Sequence, residues 1–229
     1  MARHKTNLQP RPTTRERVLD AAERLLAGGS AAFSMRELAE EAGVSFATPF
    51  NQYGSKAAIM LALSARRIEL MHERLAEAAL PDTAVARVLM AADIAASVML
   101  AAPAVNRAVM GAIGAPSDAP GDVSSRSGAL WAEALGAGDG LAAATRALAL
   151  RALPDQLAVA FRGVLSFWTA GELSDPMLAR RACTAAATVL LGFAGRDDRT
   201  GIWRILRCDA ACPEERASAG RSAPPARPG

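Results

Sequence analysis

Along the first eighty residues of this 229-residue chain, apolar positions recur at helical rather than strand spacing. In "TTRERVLDAAERLLAGG", Val18, Ala21, Ala22, Leu25 and Leu26 share one face; Thr13 and Glu16 form a capping box ahead of it, and Gly28-Gly29 supplies the stop. A helix from about Thr14 to Ala27 follows. The next is shorter: Ser34 caps "MRELAEEAG", Glu37 completes a second capping box, and Gly43 suits the left-handed turn after Ala42. Ser45 then stands where it can cap a third helix.

A long helix runs from Ser55 to about Ala79, with Ile59, Ala62, Leu63, Ile68, Leu70, Met71 and Leu75 apolar and Pro81 ending it. Asp82 can cap a further helix to about Leu100, and Pro103 marks a break before "AVNRAVMGAIG". Residues 114–125, "GAPSDAPGDVSS", read as a loop, and "RSGALWAEALGAG" as helix. Gly136, Gly138 and Gly140 leave the boundary after it open. Two strong helices follow, 154–173 and 174–195, the second capped by Ser174 with Pro176 in its first turn and Gly195 at its end. Both are apolar over more of their circumference than one packing face requires, which implies a second buried surface. Residues 209–229 lack periodicity and read as a disordered tail.

Composition agrees with an all-α fold. The chain is 51% hydrophobic but only 4% aromatic, and its core is built mainly from Ala, Leu and Val. The most apolar stretch, 84–102, contains Arg87 and Asp93, and the N-terminus lacks the apolar core of a signal peptide, so a soluble cytoplasmic protein with no membrane partner is expected. Cys183, Cys208 and Cys212 are an odd number, and the latter two have no Cys or His cluster around them. Free thiols in a reducing compartment, with no metal and no cofactor, are the reading.

Net charge is +3, too small to decide anything by itself, but residues 1–17 hold Arg3, Lys5, Arg11, Arg15 and Arg17 against Glu16 alone. Such a basic arm is either a solvated tail or a phosphate contact, and the second reading needs DNA-reading chemistry next to it. Two short helices joined by a Gly-containing turn, with a third packed behind, are the arrangement of a DNA-binding helix-turn-helix, although the same turn occurs in ordinary helical proteins.

The surrounding residues add to this. "TRERVLDAAERLL", "FSMRELAEEAGVS" and "GSKAAIML" agree in order and spacing, so that residues 14–61 resemble the DNA-binding domain of the TetR family of bacterial transcriptional regulators. The resemblance implies a basic flexible arm (1–12), a DNA-binding domain (13–60), a helical effector-binding and dimerisation domain (61–208) and the tail. It also implies a homodimer through the helices at about 154–173 and 174–195, a double-stranded DNA operator with pseudo-palindromic sequence, and an apolar or amphipathic small-molecule effector that releases it. Repression is the family's commoner mode.

Residue by residue, Ser34 and Ser45 cap the two helices, and the resemblance sets their hydroxyls beside the DNA backbone. Arg36 opposes the helix dipole in its first turn, which suits a phosphate or guanine-edge contact; an ion pair with Glu40 is the ordinary alternative. Lys56 matches the family's "SK", whose lysine approaches a phosphate. Phe46, Pro49, Phe50 and Tyr53 follow a spacing that would bury all four, whereas the resemblance, which commonly has a basic or polar residue at 46 and a Tyr at 50, turns both positions toward DNA; Phe46 over a thymine methyl and Phe50 against sugar would reconcile this chain with it. Thr48 suits phosphate, Asn51 and Gln52 phosphate or adenine edges, and Ala47 lets the backbone approach. Pro49 forfeits one early amide bond, which a tightened first turn or a helix restarting at Thr48 accommodates.

For the effector, Met90, Met99, Met110, Trp131 and Phe161 are pocket candidates, with plain core packing as the alternative; Phe167 and Trp168 are divided between pocket and dimer interface. An enzyme is not supported: His4 and His72 stand apart from any catalytic constellation, and "GVLSF" lacks the second glycine of a nucleophile elbow. The rival is a helical sensor or adaptor that has lost DNA binding, motivated by Phe46, Pro49 and Phe50.

Overall fold

A computed structural model describes residues 12–29, 33–115 and 121–210, and these are all-helical. The order is α1 (Thr14–Ala27), α2 (Met35–Ala42), α3 (Ala47–Tyr53), α4 (Lys56–Glu77), α5 (Ala84–Leu100), α6 (Pro103–Gly114), α7 (Val123–Leu135), α8 (Arg146–Thr169), α9 (Asp175–Leu190) and α10 (Arg196–Ala210). Most of the basic arm, the centre of the 114–125 loop and the tail from 211 lie outside the described residues. No single described helix is long and apolar enough to cross a membrane.

The chain divides into two compact units, the first ending at Arg67 and taking in Met99–Val123, the second holding Ile68–Val98 and the residues from Ser124 on. The first unit therefore includes α6, beyond the 13–60 stretch expected for the DNA-binding domain. Its core interleaves Val18, Ala22 and Leu26 of α1 with Leu38 and Ala42 of α2, Ile59 and Leu63 of α4 and Val109 of α6. Truncating a fully buried side chain such as Leu38 would cost about 2–5 kcal/mol.

Local chemistry sets the ends of these helices as the sequence predicts. Thr13 and Ser34 each accept from the amide three residues on, while Glu16 and Glu37 reach back to the cap amides, completing both capping boxes. Hydrogen bonds from the cap amide and hydroxyl hold both carboxyls below their ordinary value of 4.5. Gly43 ends α2 at φ 62°, where a Cβ would be strained.

The first unit also carries a polar network. Asn106 of α6, 1% exposed, accepts from Arg67 Nε at 2.8 Å and donates to the Met99 carbonyl at 2.7 Å. Arg67 and Arg66 of α4 pair in turn with Glu23 and Asp20 of α1. Four helices are thus joined through paired charges and one amide, an arrangement that is stabilising only while every member keeps its partner.

In the second unit α8 and α9 form the most extensive helix pair, with α10 packed against α9. Leu153, Leu157, Trp168, Leu178, Leu190 and Ile202 are buried there. Several helix ends differ from expectation. Helix α8 begins eight residues before Pro154, which lies inside it, because Ala149, Leu153 and Leu157 continue one buried stripe through the proline. Its end comes at Thr169 rather than 173, where Gly171 turns at φ 80°.

Thr83, not Asp82, stands before α5, its hydroxyl accepting from the Ala86 amide at 3.3 Å. Ser174 occupies the cap position of α9 without a side-chain bond, and α9 ends at Leu190, short of Gly195. Helix α7 starts at Val123, inside the expected loop. Helix α10 was not expected, since only Ile202 is fully buried on a helix otherwise rich in exposed charge. It is fixed instead by Asp209, which pairs with Arg180 and Arg181 of α9 at 2.8 and 2.7 Å.

Candidate nucleic-acid interface

Helices α2 and α3 are positioned from behind by three arginines of α1. Arg17 donates to the carbonyls of Ala42 and Gly43 at the end of α2, and Arg24 pairs with Glu41 of the same helix. Arg15 donates to the Gln52 carbonyl at the end of α3 and lies 4.3 Å from the Tyr53 ring centroid. Cations at helix C-termini meet orphan carbonyls and the negative end of the dipole. Arg15 and Arg17, counted with the charge of the N-terminus, therefore serve the scaffold; Arg3, Lys5 and Arg11 lie outside the described residues. Sequence reasoning missed this brace because it counted charge along the chain, whereas the carbonyls that Arg17 and Arg15 reach lie 25 to 37 residues away.

Helix α3 opens on a tightened turn. The Thr48 amide donates to the Ser45 carbonyl at 2.9 Å, an i to i+3 bond, and Phe46 has helical backbone angles. Ser45 is consequently not the expected side-chain cap; its hydroxyl lies 2.8 Å from that of Thr48. Pro49 is buried against the scaffold, so the residue without an amide donor faces inward.

The periodicity that would bury Phe46 and Phe50 is overridden. Their exposures are 56% and 41%, while Pro49 is buried and Tyr53 half-buried. Ser34, Arg36, Ser45, Ala47 and Asn51 are also exposed, and Thr48, Gln52 and Lys56 half-buried. Arg36 makes no ion pair with Glu40; its guanidinium stands 5.9 Å from the Phe46 ring centroid, and Phe46 meets Phe50 edge-on at 5.5 Å. Lys56 donates to the Phe33 carbonyl at 2.9 Å and lies over the Phe33 ring, tying the start of α4 to the segment before α2.

Of the effector candidates, Met99 and Met110 are buried in the first unit; Met90, Trp131 and Phe161 belong to the second. Trp131 and Phe161 meet edge-on at 5.6 Å, and the buried Trp131 indole N–H has no hydrogen-bond partner among the described residues. Trp168 is fully buried with its indole on Asp175 at 2.7 Å, whereas Phe167 is 58% exposed. An open depression of about 390 Å³ on α10 is lined by Thr200, Trp203, Arg204, Arg207 and Cys208, none of them effector candidates. Cys183 and Cys208 are free thiols; burial pushes Cys183 up to about 11. No group of three His, Cys, Asp or Glu able to hold a metal occurs among the described residues.

Residues 18–63 match the model of the bacterial regulatory proteins of the tetR family, a span that runs from α1 through α2 and α3 into α4. A crystal structure of a TetR transcriptional regulator from Rhodococcus sp. RHA1 is 23% identical, with a TM-score of 0.62 over 78% of this chain and 96% of that one. A protein of unknown function from the same organism is 22% identical, with a TM-score of 0.49 over 82% of this chain and 99% of that one. No curated protein matches. The structural likeness shows the helical fold, and over residues 18–63 the chain carries a helix-turn-helix domain similar to that of the bacterial regulatory proteins of the tetR family, which supports a DNA-binding transcriptional regulator.

Proposed function

We propose that the chain binds a pseudo-palindromic operator as a homodimer, represses transcription there, and is released by an apolar or amphipathic small molecule. The observation that carries the DNA-binding half is the exposed face of α3. Two phenylalanines and Asn51 stand in solvent on a helix whose opposite side is held by Arg15 and Pro49. Exposed aromatic surface of this kind is retained where a partner covers it. Ser34, Ser45, Thr48 and Lys56 flank that face for phosphate, with Asn51 and Gln52 for base edges or backbone and Ala47 allowing close approach.

Dimerisation through α8 and α9 is supported by Leu148, Val159 and Phe167, which leave 51%, 64% and 58% of their surface exposed on α8. A two-fold pair of reading helices then calls for half-sites about one helical turn apart or a multiple of it. For the effector, the partnerless Trp131 N–H beside Phe161 favours an aromatic or apolar molecule bearing a hydrogen-bond acceptor. Release requires only that this molecule prefer the conformation that does not bind DNA.

The test is selection from a random duplex pool with the full chain at near-physiological salt. Enrichment of an inverted repeat is the expected result. Retention that is absent, or unselective and abolished by salt, would return the chain to the sensor or adaptor reading.

A further inference from the structure

The approach of Arg36 to Phe46, whose ring Phe50 meets edge-on, suggests what sequence the reading head prefers. Phe46 lies on the outer face of α3 with more than half its surface in water, and Phe50, one turn later, fixes its ring through an edge-on contact at 5.5 Å. Arg36, on a different helix, comes within 5.9 Å of the same ring. It has no ion pair among the described residues and opposes the dipole of α2. A cation kept there without an anionic partner, over an aromatic face turned to solvent, is poised for a ligand that engages both groups.

We propose that Arg36 and Phe46 act as one composite reader of two neighbouring base pairs, Phe46 covering a thymine C5-methyl and Arg36 donating to the O6 and N7 of the adjacent guanine. This rests on the DNA-binding reading above. An apolar ring matches the one apolar group that the major groove displays, the methyl of thymine. A guanidinium is planar by its own delocalised bonding, and its two parallel donors fit the paired acceptors on the guanine edge. Base pairs rise by about 3.4 Å, so groups 5.9 Å apart fall on neighbouring pairs rather than on distant ones. Phe50 holds the ring to which Arg36 is referred and is a positioning residue for both contacts.

The experiment uses the full chain and the duplex enriched from a random pool, with affinities measured by fluorescence polarisation. The enriched half-site should contain thymine beside guanine. Replacing that thymine by uracil, which removes only the methyl, should weaken binding about 3- to 4-fold. Replacing the guanine by 7-deazaguanine, which removes N7, should weaken it about 5-fold or more. In Phe46→Ala the uracil penalty should vanish and the 7-deazaguanine penalty shrink, because the ring orients Arg36; in Arg36→Ala only the 7-deazaguanine penalty should vanish. Both side chains are exposed, so neither variant removes core packing. A half-site without this neighbour pair, or penalties that are the same in Phe46→Ala as in the parent, would overturn the proposal alone. Failure to retain any duplex would overturn it together with the DNA-binding reading.

Discussion

The guanidinium of Arg15 lies 4.3 Å from the centroid of the Tyr53 ring, and the Tyr53 hydroxyl returns a 2.9 Å hydrogen bond to the Arg15 carbonyl. The start of α1 and the end of α3 are thereby locked reciprocally, with a further bond from Arg15 to the Gln52 carbonyl at 2.9 Å. Because Arg15 serves the scaffold, Arg15→Ala should lower folding stability by about 1–2 kcal/mol. Operator affinity should fall with it while the salt dependence of binding stays unchanged. A loss of about one unit in the salt slope would instead mean that Arg15 contacts phosphate.

The same pair predicts an alkaline limb. Burial raises the Tyr53 phenol above its ordinary value of 10.0, against the opposing pull of the Arg15 cation. A group whose folded pKa is raised contributes stability that is full below the unfolded value and lost as pH rises through the folded one. Thermal midpoints of the native chain should therefore decline above pH 10.0 more steeply than those of Tyr53→Phe. Parallel curves would contradict this.

Asn106 is the least exposed polar residue among the described residues of the first unit, and both ends of its amide are engaged. Asn106→Leu would leave Arg67 Nε and the Met99 carbonyl short of a partner, and should destabilise the chain by roughly 1–3 kcal/mol in denaturant unfolding. A neutral result would mean that water replaces the amide without loss.

On α8, Phe167 is largely exposed while its neighbour Trp168 is buried. Phe167→Asp should leave the monomer fold intact, shift the chain to a monomer in sedimentation equilibrium, and abolish operator binding. An unchanged dimer would move the subunit interface away from this face.

What could be read in advance was local. Thr13 with Glu16 and Ser34 with Glu37 are three residues apart and their capping boxes formed as the spacing implies; Gly43 took the left-handed turn for the same reason. The outward turn of Phe46 and Phe50 could not be read from periodicity, since hydrophobic spacing alone cannot say which apolar residues a partner covers. Nor could the continuity of α8 through Pro154, where a buried stripe outweighs one missing amide bond, or the helix α10, whose anchor Asp209 depends on arginines nearly thirty residues earlier. Arg15 and Arg17 were legible as charge but not as caps of other helices.

Whether α3 reads base sequence is tested by a specificity ratio: affinity for the enriched duplex over affinity for a scrambled duplex of equal length and composition, at near-physiological salt. A ratio of about 10³ or more is expected. A ratio of only a few-fold, with both affinities falling together as salt rises, would contradict it.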